Sequence, residues 1–94
     1  MDEQPGYAPG KEQLTARLRR VEGQVRGIGR MVTEERYCID VLTQISAIQG
    51  ALDRVAIELV SDHTRECVIG APGGLRAERA EELVRAVDRL VSRR

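Results

Sequence analysis

The sequence predicts an all-α protein: a long antiparallel helical hairpin followed by a shorter C-terminal helix. Three observations carry that prediction. Leu14, Leu18, Val21, Val25, Ile28 and Val32 are spaced alternately four and three apart. Val41, Ile45, Ile48, Leu52, Val55 and Leu59 repeat the pattern after a polar break at Thr33–Arg36. Nowhere does an apolar run alternate with the period of two that a half-buried strand requires. Spacings of four and three keep side chains on one stripe of a helix, the seam used in coiled-coil packing.

Residues 1–10 (MDEQPGYAPG) are punctuated by proline and glycine without a repeat and are expected to be a flexible leader. Residues 11–94 are expected to form a single helical domain, since 94 residues leave no room for a second. The run Gly70-Ala-Pro-Gly-Gly is a helix stop. Beyond it, Ala80, Leu83, Val84, Val87, Leu90 and Val91 form a third amphipathic pattern, with Glu81 and Arg85 spaced for an i,i+4 pair. Three short-chain helices with apolar seams bury little surface alone, so an oligomer is expected.

Composition narrows the function. The chain has no Phe or Trp, so its core is aliphatic. Fifteen basic and fifteen acidic residues balance to a net charge of zero, so binding to a polyanion needs a local patch. No apolar run approaches the ~20 residues of a membrane span, and the first residues show no hydrophobic targeting segment. A cytoplasmic location is therefore expected. In such a reducing compartment two cysteines are expected to be thiols. No nucleophile–base pair or phosphate loop is present, which argues against an enzyme.

Cys38, His63 and Cys67 are the residues with distinctive chemistry. His63 and Cys67 are four apart and share a face of a helix. Cys38 precedes His63 by a helical length of ~37 Å at 1.5 Å rise per residue. One straight helix cannot bring the three together, whereas an antiparallel copy can lay its Cys38 beside the first chain's His63 and Cys67. Each residue also has a plain explanation: a small buried hydrophobe for either cysteine, a helix-terminal cation for the histidine. As a set they favour a soft metal. Structural zinc takes four protein ligands, and calcium and magnesium take oxygen. Nickel favours more nitrogen. Cu(I) accepts thiolate and low coordination, so two sulfurs and one imidazole suit it best.

A basic ridge supplies the second feature. Between Lys11 and Arg30 six basic residues stand against Glu12 and Glu22. Arg19, Arg26 and Arg30 fall within about 40° of one another on a helical projection, opposite the first apolar stripe. Such a ridge is either a solvated helix face or a phosphate-binding surface.

The runs RLRRVEGQVRGIGRMV (17–32), RYCIDVLTQISAIQGALDRVAIEL (36–59) and DHTREC (62–67) closely resemble the copper-sensitive operon repressors, small all-helical bacterial transcription factors. The likeness covers about residues 11–91. Copper-sensing members of that wider family carry Cys, His and Cys where this chain has Cys38, His63 and Cys67. The resemblance further implies that Tyr37 and Glu82 hydrogen-bond around the ligand histidine, and that Arg17 and Arg54 contact operator DNA, with Gln24 a weaker candidate. Arg19, Arg26 and Arg30 join them as expected DNA-binding residues. It also implies a homodimer or dimer of dimers that binds operator DNA without metal and releases it on Cu(I) binding, derepressing copper-resistance genes. Two other readings use the same residues: a persulfide sensor acting through Cys38 and Cys67, and a helical metal-buffering or assembly protein without a DNA role.

Overall fold

A computed structural model describes residues 5–92. Positions 1–4 of the expected leader, and Arg93 and Arg94 of the expected domain, lie outside the described residues. Three α-helices account for most of the rest: α1 (Lys11–Thr33), α2 (Cys38–His63) and α3 (Leu75–Ser92). A 3₁₀ turn at Ala8–Gly10 precedes α1, and a π-helical turn at Thr64–Ile69 follows α2. The all-α architecture and its three helices are as expected. The described residues divide into two compact units, one of residues 10–57 and one that joins residues 5–9 to residues 58–92.

The first unit is α1 packed on the greater part of α2. Each apolar stripe contributes only one of its two heptad positions to that seam. Leu14 and Val21 of α1 and Ile48 and Val55 of α2 are buried. The alternate positions, Leu18, Val25 and Val32 on α1 and Ile45 and Leu52 on α2, remain exposed, Val32 at 61%. A two-helix seam needs one narrow stripe from each partner, so a wider apolar arc leaves its far edge in water. Both halves of the 4-3 spacing looked alike in the sequence; the register of the hairpin separates them.

The reversal between α1 and α2 is a Schellman closure. The Glu35 N–H donates to the Val32 carbonyl (3.0 Å) and the Arg36 N–H to the Met31 carbonyl (2.9 Å). Glu35 sits at φ 56°, the left-handed conformation that this position demands. Glycine usually supplies it, because a Cβ there crowds the following carbonyl. Directly afterwards, the Tyr37 carbonyl accepts the N–H groups of Asp40 (3.1 Å) and Val41 (3.2 Å) and starts α2.

In the second unit α3 packs against the π-helical turn. Val68 and Ala71 are buried there, while α3 itself buries no residue fully and shows Val84, Leu90 and Val91 to solvent. The Gly-Pro stop falls at residues 70–74 as expected, with Gly73 at φ 49°. Gly6 is buried: a Cβ on it would lie 2.8 Å from the Asp62 carbonyl oxygen and 3.1 Å from the His63 Cα. Ion pairs on the helices join Arg26 to Glu22 (3.8 Å) and Arg65 to Asp62 (2.7 Å), not Arg85 to Glu81, among the described residues. The exposed pair on α1 adds little to stability.

Glu35→Gly relieves the left-handed Cβ penalty, so it is expected to stabilise the fold by about 1 kcal/mol. Urea unfolding at fixed protein concentration checks this, and a midpoint that falls or stays put contradicts it.

Candidate functional site

Cys38 is the first residue of α2 and His63 the last. Cys38 is exposed, as is Tyr37 before it at 69%. Their position follows from the reversal at 34–37, which presents the start of α2 to solvent. His63 and Cys67 are both half-buried. Both cysteines are free thiols.

The expected single helix through His63 and Cys67 changes winding between them. α2 ends at His63, and Thr64–Ile69 continue as a π-helical turn. The Gly70 N–H donates to the Arg65 carbonyl, five residues back, at 3.2 Å. Three local features favour this widening. The Thr64 hydroxyl donates back to the Val60 carbonyl (2.6 Å) and competes for an acceptor within the helix. Gly70 folds close over the turn, where a Cβ would lie 2.9 Å from the Glu66 carbonyl oxygen. Pro72 then prevents any regular continuation. The two donors keep roughly one turn of separation, and single π turns recur at functional positions.

Neighbouring side chains brace the segment. Arg65 turns back, donating to the Ser61 hydroxyl (2.8 Å) and to Asp62 Oδ1 (2.7 Å). From α3, Arg79 Nη1 donates to the carbonyl of Cys67 at 3.4 Å. Glu82 is exposed on α3, and no hydrogen bond joins it to His63. Among the described residues no group of three or more His, Cys, Asp or Glu forms a metal-sized cluster. One chain therefore places His63 and Cys67 near one end of α2 and Cys38 at the other.

Four of the five arginines expected to contact DNA line two clefts, and Arg19 lines neither. Arg17, Arg20, Val21 and Gln24 of α1 line a cleft of about 270 Å³ with Ala51 and Arg54 of α2. The hairpin register thus brings together Arg17 and Arg54, and Gln24 with them. It adds Arg20, which the ridge argument passed over because finding it requires knowing which part of α2 lies opposite. Arg26 and Arg30 line a shallower groove with Gly29, Thr33 and Glu34. Arg19 is exposed on α1. Local basic surface on a chain of zero net charge is the arrangement expected of a protein that meets a polyanion on one face.

The family model of a metal-sensitive transcriptional repressor matches residues 10–89. The chain belongs to this family. Metal-sensitive transcriptional repressors regulate transcription and are not enzymes, in line with the absence of a catalytic constellation in the sequence. The chain is similar to the copper-sensing transcriptional repressor RicR of Mycobacterium tuberculosis H37Rv, with 51% identity over 87% of this chain and 93% of that protein. It is 56% identical to the copper-sensing transcriptional repressor CsoR of Bacillus subtilis over 65% of this chain and 60% of that protein. In three dimensions it is similar to the copper-sensing repressor CsoR of Geobacillus thermodenitrificans NG80-2, crystallised with Cu(I). That likeness has a TM-score of 0.82, with 39% identity over 97% of this chain and 94% of the other. The nickel-responsive transcriptional regulator InrS is also similar, with a TM-score of 0.72 and 44% identity over 83% of this chain and 89% of the other. The similar proteins thus include both copper-sensing and nickel-responsive regulators.

Proposed function

We propose that this repressor responds to Cu(I), that it binds operator DNA in the metal-free state, and that ligation of Cu(I) weakens that binding. The observation that carries the reading is the donor chemistry: two free thiols and the chain's one histidine. Two sulfurs and one nitrogen suit a soft monovalent ion of low coordination number and fall short of the nitrogen-rich set that nickel prefers. The similarity to copper-sensing repressors supports the same choice. When bound, Cu(I) supplies a soft centre for thiolate and imidazole donors.

The donors are Cys38 of one subunit with His63 and Cys67 of a second, because α2 keeps Cys38 and His63 at its opposite ends. The exposed heptad positions supply the means of association. Leu18, Val25 and Leu52 are apolar and about half exposed in a single chain, and burying the remaining surface of each contributes about 1 kcal/mol. A homodimer covers this face and lays α2 beside an antiparallel copy, and a dimer of dimers is its natural extension. Tyr37 and Glu82, exposed in the single chain, meet the imidazole across such an interface and fix its orientation. Arg17 and Arg54, in their cleft with Arg20, hold backbone phosphate of the operator, and Arg19, Arg26 and Arg30 extend the contact along α1. Metal and DNA then favour different arrangements of the same helices. By linkage each weakens the other by one coupling free energy, of the order of 1–3 kcal/mol or 5- to 150-fold in affinity. Genes of copper resistance are the regulated class, and the cytoplasm, where operator DNA resides and thiols stay reduced, is the place of action.

Cys38→Ala is expected to abolish tight Cu(I) binding in an anaerobic competition titration while the metal-free variant retains operator affinity near wild type. Loss of both would make Cys38 structural and overturn the switch. Arg54→Ala is expected to weaken operator binding and to reduce the slope of log K against log salt by about 0.9, the value for one lost phosphate contact. An unchanged slope in fluorescence anisotropy removes Arg54 from the DNA surface. Leu52→Glu alters a side chain already 44% exposed in the single chain, so helical content should survive. Sedimentation should instead show a smaller species that has lost tight Cu(I) capture, and a monomer that still binds Cu(I) tightly would refute the shared site.

A further inference from the structure

The carbonyl of Cys67 sits where neither kind of helix satisfies it. An α-helix would pair it with the N–H of residue 71, and a π-helix with that of residue 72. The Ala71 N–H donates instead to the Val68 carbonyl at 3.2 Å, and Pro72 has no N–H to give. The Gly70 N–H is engaged with the Arg65 carbonyl, also at 3.2 Å. A carbonyl left over at a helix end needs a partner from elsewhere. Here the partner comes from α3, where Arg79 Nη1 donates to the Cys67 carbonyl at 3.4 Å. Both residues are half-buried and line one cleft of about 300 Å³. A cation is favoured at this position, because the end of a helix presents the negative pole of its dipole. The bond is charge-assisted, which strengthens it relative to one from a neutral donor. Arg79 lies in the second turn of α3, and α3 packs on the π-helical turn that carries Cys67.

We infer that Arg79 is a positioning residue for the Cys67 donor. Its guanidinium stands in for the N–H that Pro72 lacks, holds the Cys67 carbonyl, and ties the backbone of the thiol to α3. The orientation of that thiol then follows α3, although none of the three donors lies on α3. For Cu(I) affinity this rests on the copper reading above; for the capped carbonyl it does not.

The test uses the full-length, reduced, metal-free protein and follows the Cys67 carbonyl carbon by NMR. Arg79→Met keeps most of the aliphatic stem and removes the donors. It should move the Cys67 carbonyl resonance to lower frequency, the direction of a lost hydrogen bond. Amide exchange at Gly70 and Ala71 should quicken about fivefold, the ratio that losing one such bond produces. Arg76→Met removes the same charge from an exposed site on α3 and should do neither. In an anaerobic competition titration Cu(I) affinity should fall about fivefold in Arg79→Met and hold in Arg76→Met. Operator binding by the metal-free protein should hold in both. An unmoved Cys67 carbonyl in Arg79→Met overturns the cap, as does an equal shift in Arg76→Met. Arg79→Lys separates position from charge, since carbonyl position and Cu(I) affinity should track one another in it. Affinity restored without the carbonyl position would make Arg79 a source of field alone and refute the positioning role. Should Arg79→Met lose helical circular dichroism, the unsubstituted protein decides. Arg79 guanidinium protons that exchange more slowly than those of Arg76 support the contact, and equal rates refute it. The carbonyl and exchange readings need no metal, so a failed Cu(I) titration of the wild type leaves the cap standing, and a failed cap leaves the donor assignment standing.

Discussion

The unbroken run of α2 from Cys38 to His63 is the constraint from which most of the molecule's behaviour follows. A helix of 26 residues is a spacer that thermal motion does not shorten. It fixes the thiol at one end and the imidazole at the other, and the pair can meet in a common site only through a second molecule. On the proposed donor assignment, metal ligation and subunit association become one problem, and an ion would act on quaternary arrangement directly, with no flexible loop to relay the signal. The same helix carries Arg54 on its flank, so a change in how two copies lie together is felt by the basic cleft as well.

The hairpin shows how a small chain handles a shortage of core. Among the described residues only six apolar residues are buried: Leu14, Val21, Ile48, Val55, Val68 and Ala71. Ordering about ninety residues costs far more entropy than six side chains can offset. On α1 and α2 the remaining exposed apolar side chains follow the heptad stripes instead of being scattered, a pattern characteristic of surfaces that become buried on association. Stability and assembly draw on the same side chains. The fold and the competence to sense are accordingly gained or lost together.

Much of this was legible in the residues. The 4-3 spacing, the polar break and the Gly-Pro stop each mark a local feature, and the helices begin and end close to where those signals place them. Cys38, His63 and Cys67 were equally visible because their side chains have chemistry that few other residues share. Four features were not legible: three depend on what lies opposite, and one on local competition for hydrogen bonds. The division of each stripe into a buried and an exposed half needs the hairpin register, as does the inclusion of Arg20 beside Arg17 and Arg54. The π-helical turn reflects a contest between the Thr64 hydroxyl, Gly70 and Pro72 that periodicity does not record. Gly6 read as a flexible punctuation mark, yet it is buried because of the backbone it meets. Local pattern reports which face a residue occupies; it is silent on the neighbour.

The closure at Met31–Arg36 also limits how the family can vary. Its two hydrogen bonds and one left-handed residue leave no slack between α1 and α2. One residue inserted there would rotate the second helix by about 100° about its axis, carrying Ile48 and Val55 off the seam and swinging Arg54 away from Arg17. Insertions and deletions should therefore be tolerated beyond Gly70 or ahead of Lys11 and purged from the bend, which makes the length of that bend, more than its composition, the heritable specification of the protein.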